Sequence, residues 1–449
     1  MNIAVIGAGW AGLAAAVTLK DLGARVTVFE AAPVTGGRAR GVDDIHMGRI
    51  DNGQHLMLGA YAETLTLIER LHPLKSIDSL ILREPLHLES ADGNFKLRAP
   101  ALPAPFNTLM AIFSAKGLSP ADRVKALSMM VRCRLTGWQA RPHETVSALL
   151  SRYHQTKTLC HWLWTPLCLA ALNTPIQQSC AQLFMNVLRD SLNGPRHASD
   201  CLIPCVDLTA LWPAAAAEHL TMRYRHTVRA VRATNTHVDI DGAHFDACIV
   251  AIPPYAAERV LFNPSNFVDP LPQHKQSPQQ SEASLQSALK SFEYRAIATL
   301  ALELEGAWRL PHNMLMLDED PTRGHVGQWV FNRLGHDKQL AVVISDASDF
   351  LKHDRERFVD AIATQIREQC AKHPANLKAM PAVKYQRLIV EKRATFNAVP
   401  ALIRPANRSP WPRIALAGDW TDTGYPAVLE GAVRSGLGAA ATLKSTLNL

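Results

Sequence analysis

Near its N-terminus the chain reads Gly7-Ala8-Gly9-Trp10-Ala11-Gly12, a spacing whose chemistry is the binding of a dinucleotide pyrophosphate. Gly7 permits a tight turn, Gly9 lets backbone approach phosphate with no Cβ in the way, and Gly12, one residue past Ala11, lets a helix pack close to the preceding strand. The free N–H groups and positive dipole end of that helix then face the phosphates. Glu30 stands eighteen residues beyond Gly12, where a carboxylate accepts the hydroxyl hydrogens of a ribose. A lone glycine triplet of this kind is weak evidence. Its strand context and the acid at the right distance make it a dinucleotide site, for FAD or NAD. Gly36-Gly37-Arg38 follows, and by composition alone is either a flexible turn or a further phosphate contact. Toward the other end Gly418-Asp419 precedes a run of small residues, with Asp419 either a ligand contact or a helix cap.

The elements that must position these residues can be read around them. Residues 2–6 form an apolar run typical of a buried parallel strand, and LAAAVTLKDLG after Gly12 reads as helix. Arg25 to Phe29 is the second strand, with Glu30 at its tip. HTVRAVRATNTHVDIDG alternates as strands, and HFDACIVAIPPYAAERVL reads as a buried strand, a turn at Ala251 to Pro254, and a helix. Ile414 to Ala417 is a last strand and Gly431 to Ala441 a helix of small residues. The expected fold class is α/β. A Rossmann-like nucleotide domain is assembled from discontinuous segments, residues 1–70, 200–260 and 400–449, and a mixed α+β substrate domain with a helical cap from residues 71–199 and 261–399. Residues 269–291, rich in Gln and Ser, are expected to form a loop or insertion with partial helix at its end.

Composition narrows the function classes. Hydrophobic residues at 47% and charged ones at 19% are those of an ordinary globular protein, and 449 residues exceed one simple core, so two large lobes are expected. The net charge is +7 and the pI near 9.0, but the basic residues are scattered and form no aromatic-interleaved patch, which speaks against nucleic acid. The eight cysteines show neither CxxC spacing nor a companion histidine pattern, and Cys201 and Cys205 in CLIPC read as structural. No metal site is expected. MNIAVIGAG has no secretory pattern, and no apolar run reaches the roughly 18 residues of a spanning helix. The expected location is cytoplasmic, with any membrane contact peripheral and on the inner face of the cytoplasmic membrane.

Glu30 followed by AAPVTGGRARG resembles the flavin amine oxidase and phytoene desaturase superfamily. Within it, DNGQHLMLGAY from Asp51, LWTPLCLAALNTP from Leu163, NVLRDSL from Asn186 and PCVDLTALWP from Pro204 are similar to the hydroxysqualene dehydroxylases. These are also called squalene-associated FAD-dependent desaturases and belong to bacterial hopanoid synthesis. The resemblance covers residues 1–260 and resumes at residue 400. It implies FAD, with Gly36, Gly37 and Arg38 against the pyrophosphate and Val228 holding the adenine by backbone contacts. It also implies Gly418 and Asp419 at the ribityl or phosphate region, and the backbone of Ala427, Val428 and Leu429 facing the flavin.

The resemblance further implies a reaction in which hydroxysqualene, reduced flavin and acid give squalene, oxidised flavin and water. Loss of the hydroxyl needs a proton donor, and quenching the resulting cation needs a hydride. The candidate acids near the ring are His55, Asp51, Asp422, Tyr425 and Glu430. His55 leads because imidazole titrates near neutrality unaided. Asp51 competes as the holder of the turn over Gly53, and Asp422 and Tyr425 as residues that only order their loop. No second nucleotide motif seats NAD(P)H, so an unidentified outside electron donor is expected.

A squalene-type substrate calls for an apolar tunnel and a membrane door. WLWTPLCLAAL reads as tunnel wall or core, and residues 101–136 as membrane-contact helices. In them Arg123, Lys125, Arg132 and Arg134 meet headgroups while Phe106, Leu109, Met110, Ile112 and Phe113 dip below them. The plainer alternative is a helical cap packed on its own lobe. Rival functions are a carotenoid-type polyene desaturase, which runs the hydride the other way, a flavin amine oxidase, and a non-catalytic FAD-binding scaffold or lipid carrier. The strand Ala296 to Glu305 lacks the lysine that many amine oxidases carry there, which counts against the second.

Overall fold

A computed structural model of the chain describes residues 1–262, 281–348, 355–375 and 378–447. The first sheet is parallel, with strands in the order Thr221–Arg223, Arg25–Phe29, Asn2–Ile6, Ala247–Val250 and Ile414–Leu416. Its two central strands are apolar beyond Asn2 because both faces are covered. Ile3, Ala4 and Val5 have no exposed surface, and neither do Ala247, Cys248, Ile249 and Val250. Helices Trp10–Asp21 and Leu429–Leu447 pack together over one face. The edge strand Thr221–Arg223 carries no sequence signal. It is three residues long with both ends exposed, and it is held by parallel pairing of Met222 with Val28.

A second five-stranded sheet is antiparallel, in the order Met314–Met316, Trp329–Asn332, Gln339–Ile344, Tyr294–Leu304 and Val383–Phe396. The two-residue alternation of a strand gives this sheet two different faces. Ala298, Leu300 and Leu302 pack with Ile362 and Ile366 of the helix Arg355–Cys370, while Ile297 and Thr299 turn to the central cavity. The chain is therefore α/β, a Rossmann-like domain joined to a second, mixed domain.

The chain also forms a set of helices that includes Phe106–Phe113, Pro120–Leu135, Val146–Arg152, Thr165–Leu172 and Ala181–Leu192. Pro120–Leu135 starts where it does because Ser119 and Asp122 close a reciprocal capping box. Cys160–Trp164 is a π-helical turn, a local widening that is frequent at functional sites, and it leads straight into Thr165–Leu172. Of the expected Gln- and Ser-rich loop, residues 269–280 lie outside the described residues. Its end is the helix Glu282–Lys290, capped by Ser281.

Candidate active site

The first strand ends in a turn that only glycine can make at Gly7, where φ is +103° and an added Cβ would lie 2.5 Å from the Ala251 carbonyl oxygen. Gly9 is different. Its backbone is extended, and a Cβ there would meet no protein atom nearer than Gly37 Cα at 4.0 Å. No atom of the chain forbids a side chain at Gly9, so the space beside it is open to a group from outside. The second turn closes on the first: Gly36 N–H donates to the Ala8 carbonyl at 2.9 Å. Glu30 receives Ala8 N–H and Ala32 N–H, both at 2.7 Å, which fixes its carboxylate at the mouth of the cradle. Helix Trp10–Asp21 has no side-chain cap, so its first N–H groups face the same cradle. An open gap under uncapped N–H groups, with a carboxylate at its mouth, fits a dinucleotide.

The C-terminal turn joins this site directly. Arg38 and Asp419 form a 2.7 Å ion pair, with the Asp419 side chain only 10% exposed, and Arg38 also donates to the Ala394 carbonyl at 2.6 Å. Segments nearly four hundred residues apart in sequence are thereby locked across one cavity. Arg404, which sequence reasoning did not single out, holds the C-terminal loop in shape. Its guanidinium donates to the carbonyls of Asp419 at 2.9 Å, Tyr425 at 2.7 Å and Thr421, and lies 4.8 Å over the Phe396 ring. Arg404→Ala leaves several buried carbonyls unpaired, so chemical denaturation is expected to show a loss of about 3 kcal/mol or more. Lysine cannot reproduce the planar fork and restores only part of it.

The cavity has a volume of about 1400 Å³, above the roughly 300 to 1,000 Å³ of ordinary small-molecule sites. It runs without a break from the glycine cradle into an apolar gallery. Gly7, Gly9, Ala11, Glu30, Gly36, Gly37, Arg38, Val228, Gly418, Asp419, Ala427, Val428 and Leu429 line the first part. Gly12 lies under the turn, where an added Cβ would come within 2.0 Å of the Gly7 carbonyl oxygen. Leu88, Ile112, Trp164, Phe184, Trp329 and Phe331 are among the residues lining the gallery. The segment Asn52 to His55 and the strand residue Thr299 stand where the two parts meet, since Gly53 borders both the His55 ring and Thr299 Oγ1.

Of the five candidate acids, His55 and Tyr425 line the cavity. His55 Nδ1 is 2.6 Å from the Gly53 carbonyl, so Nδ1 carries the proton of the neutral ring and Nε2 is the site that gains or gives one. Burial pushes its pKa below the usual imidazole value, although the Gly53 carbonyl opposes this. Tyr425 donates its phenolic hydrogen to Asp190 Oδ2, and burial with that acid beside it pushes the phenol well above its ordinary pKa. Asp190 also lines the cavity and binds Arg189 at 2.6 Å. The string NVLRDSL contained it, but nothing in the helical pattern marked the acid as facing inward.

The other three candidates are placed elsewhere, each for a structural reason. Glu430 is fully buried and accepts from Thr64 N–H at 3.0 Å, Thr64 Oγ1 at 2.7 Å and Glu63 N–H at 3.2 Å, with Arg434 at 2.8 Å as counter-ion. It caps the helix Ala62–Leu71, whose own first residue supplies no side-chain cap. Asp422 is exposed and lies outside the cavity. Asp51 accepts the Leu208 N–H at 2.8 Å, away from the cavity lining, and burial raises its carboxyl to about 7. Between the ordinary 3.8 and about 7 the folded chain keeps a proton that the unfolded chain has released, so stability falls as pH rises through that window. Asp51→Asn is expected to remove this component from a plot of melting midpoint against pH.

Residues 10–444 match the family described as flavin containing amine oxidoreductase. The chain is 26% identical to a hydroxysqualene dehydroxylase of Zymomonas mobilis, with 97% of each chain covered. It is 29% identical to the hydroxysqualene dehydroxylase of Rhodopseudomonas palustris, over 98% of this chain and 97% of that one. Among solved structures, cyclohexylamine oxidase from Brevibacterium oxydans superposes with a TM-score of 0.69 at 18% identity, covering 100% of this chain and 99% of that one.

Proposed function

The chain belongs to the flavin containing amine oxidoreductase family, and from that premise we propose that it removes the hydroxyl of hydroxysqualene reductively to give squalene. It is an FAD-dependent oxidoreductase. The observation that carries the finer reading is the unbroken cavity in which a dinucleotide cradle opens into a long apolar gallery, at full-length likeness to dehydroxylases. In this reading the N–H groups of residues 9–12 hold the pyrophosphate, Glu30 the ribose, Val228 the adenine, and Asp419, oriented by Arg38, the ribityl region. Bound in reduced form, FAD supplies the hydride.

The chain's own side chains supply the rest. Protonated His55 gives its Nε2 proton to the departing hydroxyl, which leaves as water. Tyr425, its own hydrogen held by Asp190, offers its oxygen lone pair to the substrate hydroxyl and orients it. The aromatic faces of Trp164, Phe184, Trp329 and Phe331 favour positive charge in a dry gallery. Where many amine oxidases carry lysine, this strand presents Ile297 and Thr299 to the cavity, an uncharged surface that suits a hydrocarbon.

Access is through the helix Phe106–Phe113. Its inner face puts Thr108, Ala111 and Ile112 on the cavity, and its outer face leaves Phe106 60%, Met110 41% and Phe113 59% exposed. Ile112 thus belongs to the gallery rather than to the membrane-dipping set expected from sequence, because it falls on the buried stripe of the helix. With Lys125, Arg132 and Arg134 exposed beside it, that outer face is suited to rest on anionic lipid. Among the described residues no helix is long and apolar enough to cross a membrane. Replacing Phe106 and Phe113 by Asp is expected to abolish co-flotation with anionic vesicles. An outside reductant reloads the flavin.

Product direction tests the reading. The reduced protein incubated with hydroxysqualene is expected to form squalene, and the oxidised protein incubated with phytoene to form no desaturated product. The reverse pattern would make it a polyene desaturase.

A further inference from the structure

The gallery wall carries on its back a group of side chains that the reaction does not use. Along the strand His87–Glu89, residues alternate between two faces: Leu86 and Leu88 line the cavity, so His87 and Glu89 fall on the opposite side. There His87 Nε2 stands 2.8 Å from Glu89 Oε2, and His312 Nε2 stands 3.1 Å from the same oxygen. His373 Nε2 approaches Oε1 to 3.4 Å. The Glu89 and His373 side chains are 5% and 4% exposed.

These contacts have the distances of hydrogen bonds without the directions. Among the described residues, His87 Nε2 and His373 Nε2 make no hydrogen bond and Glu89 Oε2 has only ion-pair contacts, although burial makes an unpaired polar atom costly. Two ligands bound to one tetrahedral zinc stand about 3.3 Å apart, close to the separations found here. The ligand atoms of His87, Glu89 and His312 all lie within 4.8 Å of one another.

We propose that His87, Glu89 and His312, with water completing the shell, bind a divalent transition metal of the zinc class, for which imidazole and carboxylate are suitable donors. The ion ties the hairpin of His87–Glu89 and Lys96–Arg98 to the segment leading into Met314–Met316. Leu88, Leu97 and Met314 of the gallery wall are held from behind by it. Lys96 competes for the same carboxylate, with Nζ 3.0 Å from Glu89 Oε2, but its side chain is 38% exposed and long enough to turn to solvent when a cation arrives.

The test uses the full chain with its flavin, stripped by a chelator and titrated with zinc chloride against a competing chromophoric chelator. A single zinc ion per chain is expected, with a rise in melting midpoint. His312→Gln alters a partly exposed ligand least needed for folding and is expected to weaken binding by at least about 100-fold, more than the 10- to 100-fold of outer-shell changes. Lys96→Met is expected to tighten it, and His244→Gln, an exposed histidine elsewhere, to leave it unchanged. Absence of stoichiometric zinc, or equal zinc binding by His312→Gln, overturns the site. So does a Lys96→Met protein that melts lower with unchanged zinc affinity, which would make the cluster an electrostatic tie between Glu89 and its cations.

Discussion

Gly9→Ala is expected to give a folded protein without colour. An alanine at this position has an extended backbone that any residue adopts, and its Cβ meets no protein atom closer than 4.0 Å, so circular dichroism and the melting of the flavin-free protein should match the parent. In the proposed binding mode the same methyl group projects into the gap where phosphate oxygens approach backbone N–H groups. Loss of that approach is expected to weaken FAD by about 100-fold or more, about 2.7 kcal/mol, read as flavin retained through gel filtration. Gly7→Ala is the contrasting variant. There φ is +103° and the Cβ lies 2.5 Å from the Ala251 carbonyl oxygen, so the fold itself suffers and flavin loss is secondary.

His55→Asn is expected to lower the rate of dehydroxylation by about 10²- to 10⁴-fold, the usual worth of a positioned proton donor. The pH profile separates a proton donor from a packing residue. Burial depresses the His55 pKa, so the protonated ring is the majority form only on the acid side of the ordinary imidazole value near 6.5. Rate in the parent should therefore rise as pH falls through a limb below that value, and the limb should vanish in His55→Asn. Tyr425→Phe should keep the limb, because the phenolic hydrogen is committed to Asp190. Its loss appears mainly in KM.

What could be read from the sequence was whatever local backbone geometry dictates. Gly7, Gly36 and Gly37 adopt positive φ, and Glu30 ends its strand at a fixed remove, so residue type and spacing carried the geometry of the glycine turns. The meeting of Arg38 with Asp419 followed only once a resemblance placed both near one cofactor. Proton-transfer candidates fared differently, because a carboxylate in sequence has no address. Glu430 caps a helix entering from residue 62, and Asp51 caps one at residue 208, partnerships that chain order does not announce. Asp190 and Arg404 stayed unremarked for the same reason: their work is done across elements far apart in sequence. The His87, Glu89 and His312 group is the extreme case, its third member lying in the bend before the strand Met314–Met316, which belongs to a different sheet from the first two.

The account rests on reduced flavin and hydroxylated isoprenoid meeting in one cavity. Anaerobic mixing of the photoreduced protein with excess hydroxysqualene, followed by visible absorbance and product extraction, tests this most directly. The oxidised flavin spectrum should return, with squalene formed in equal amount to the flavin reoxidised. Flavin that stays reduced while hydroxysqualene is recovered intact would contradict it.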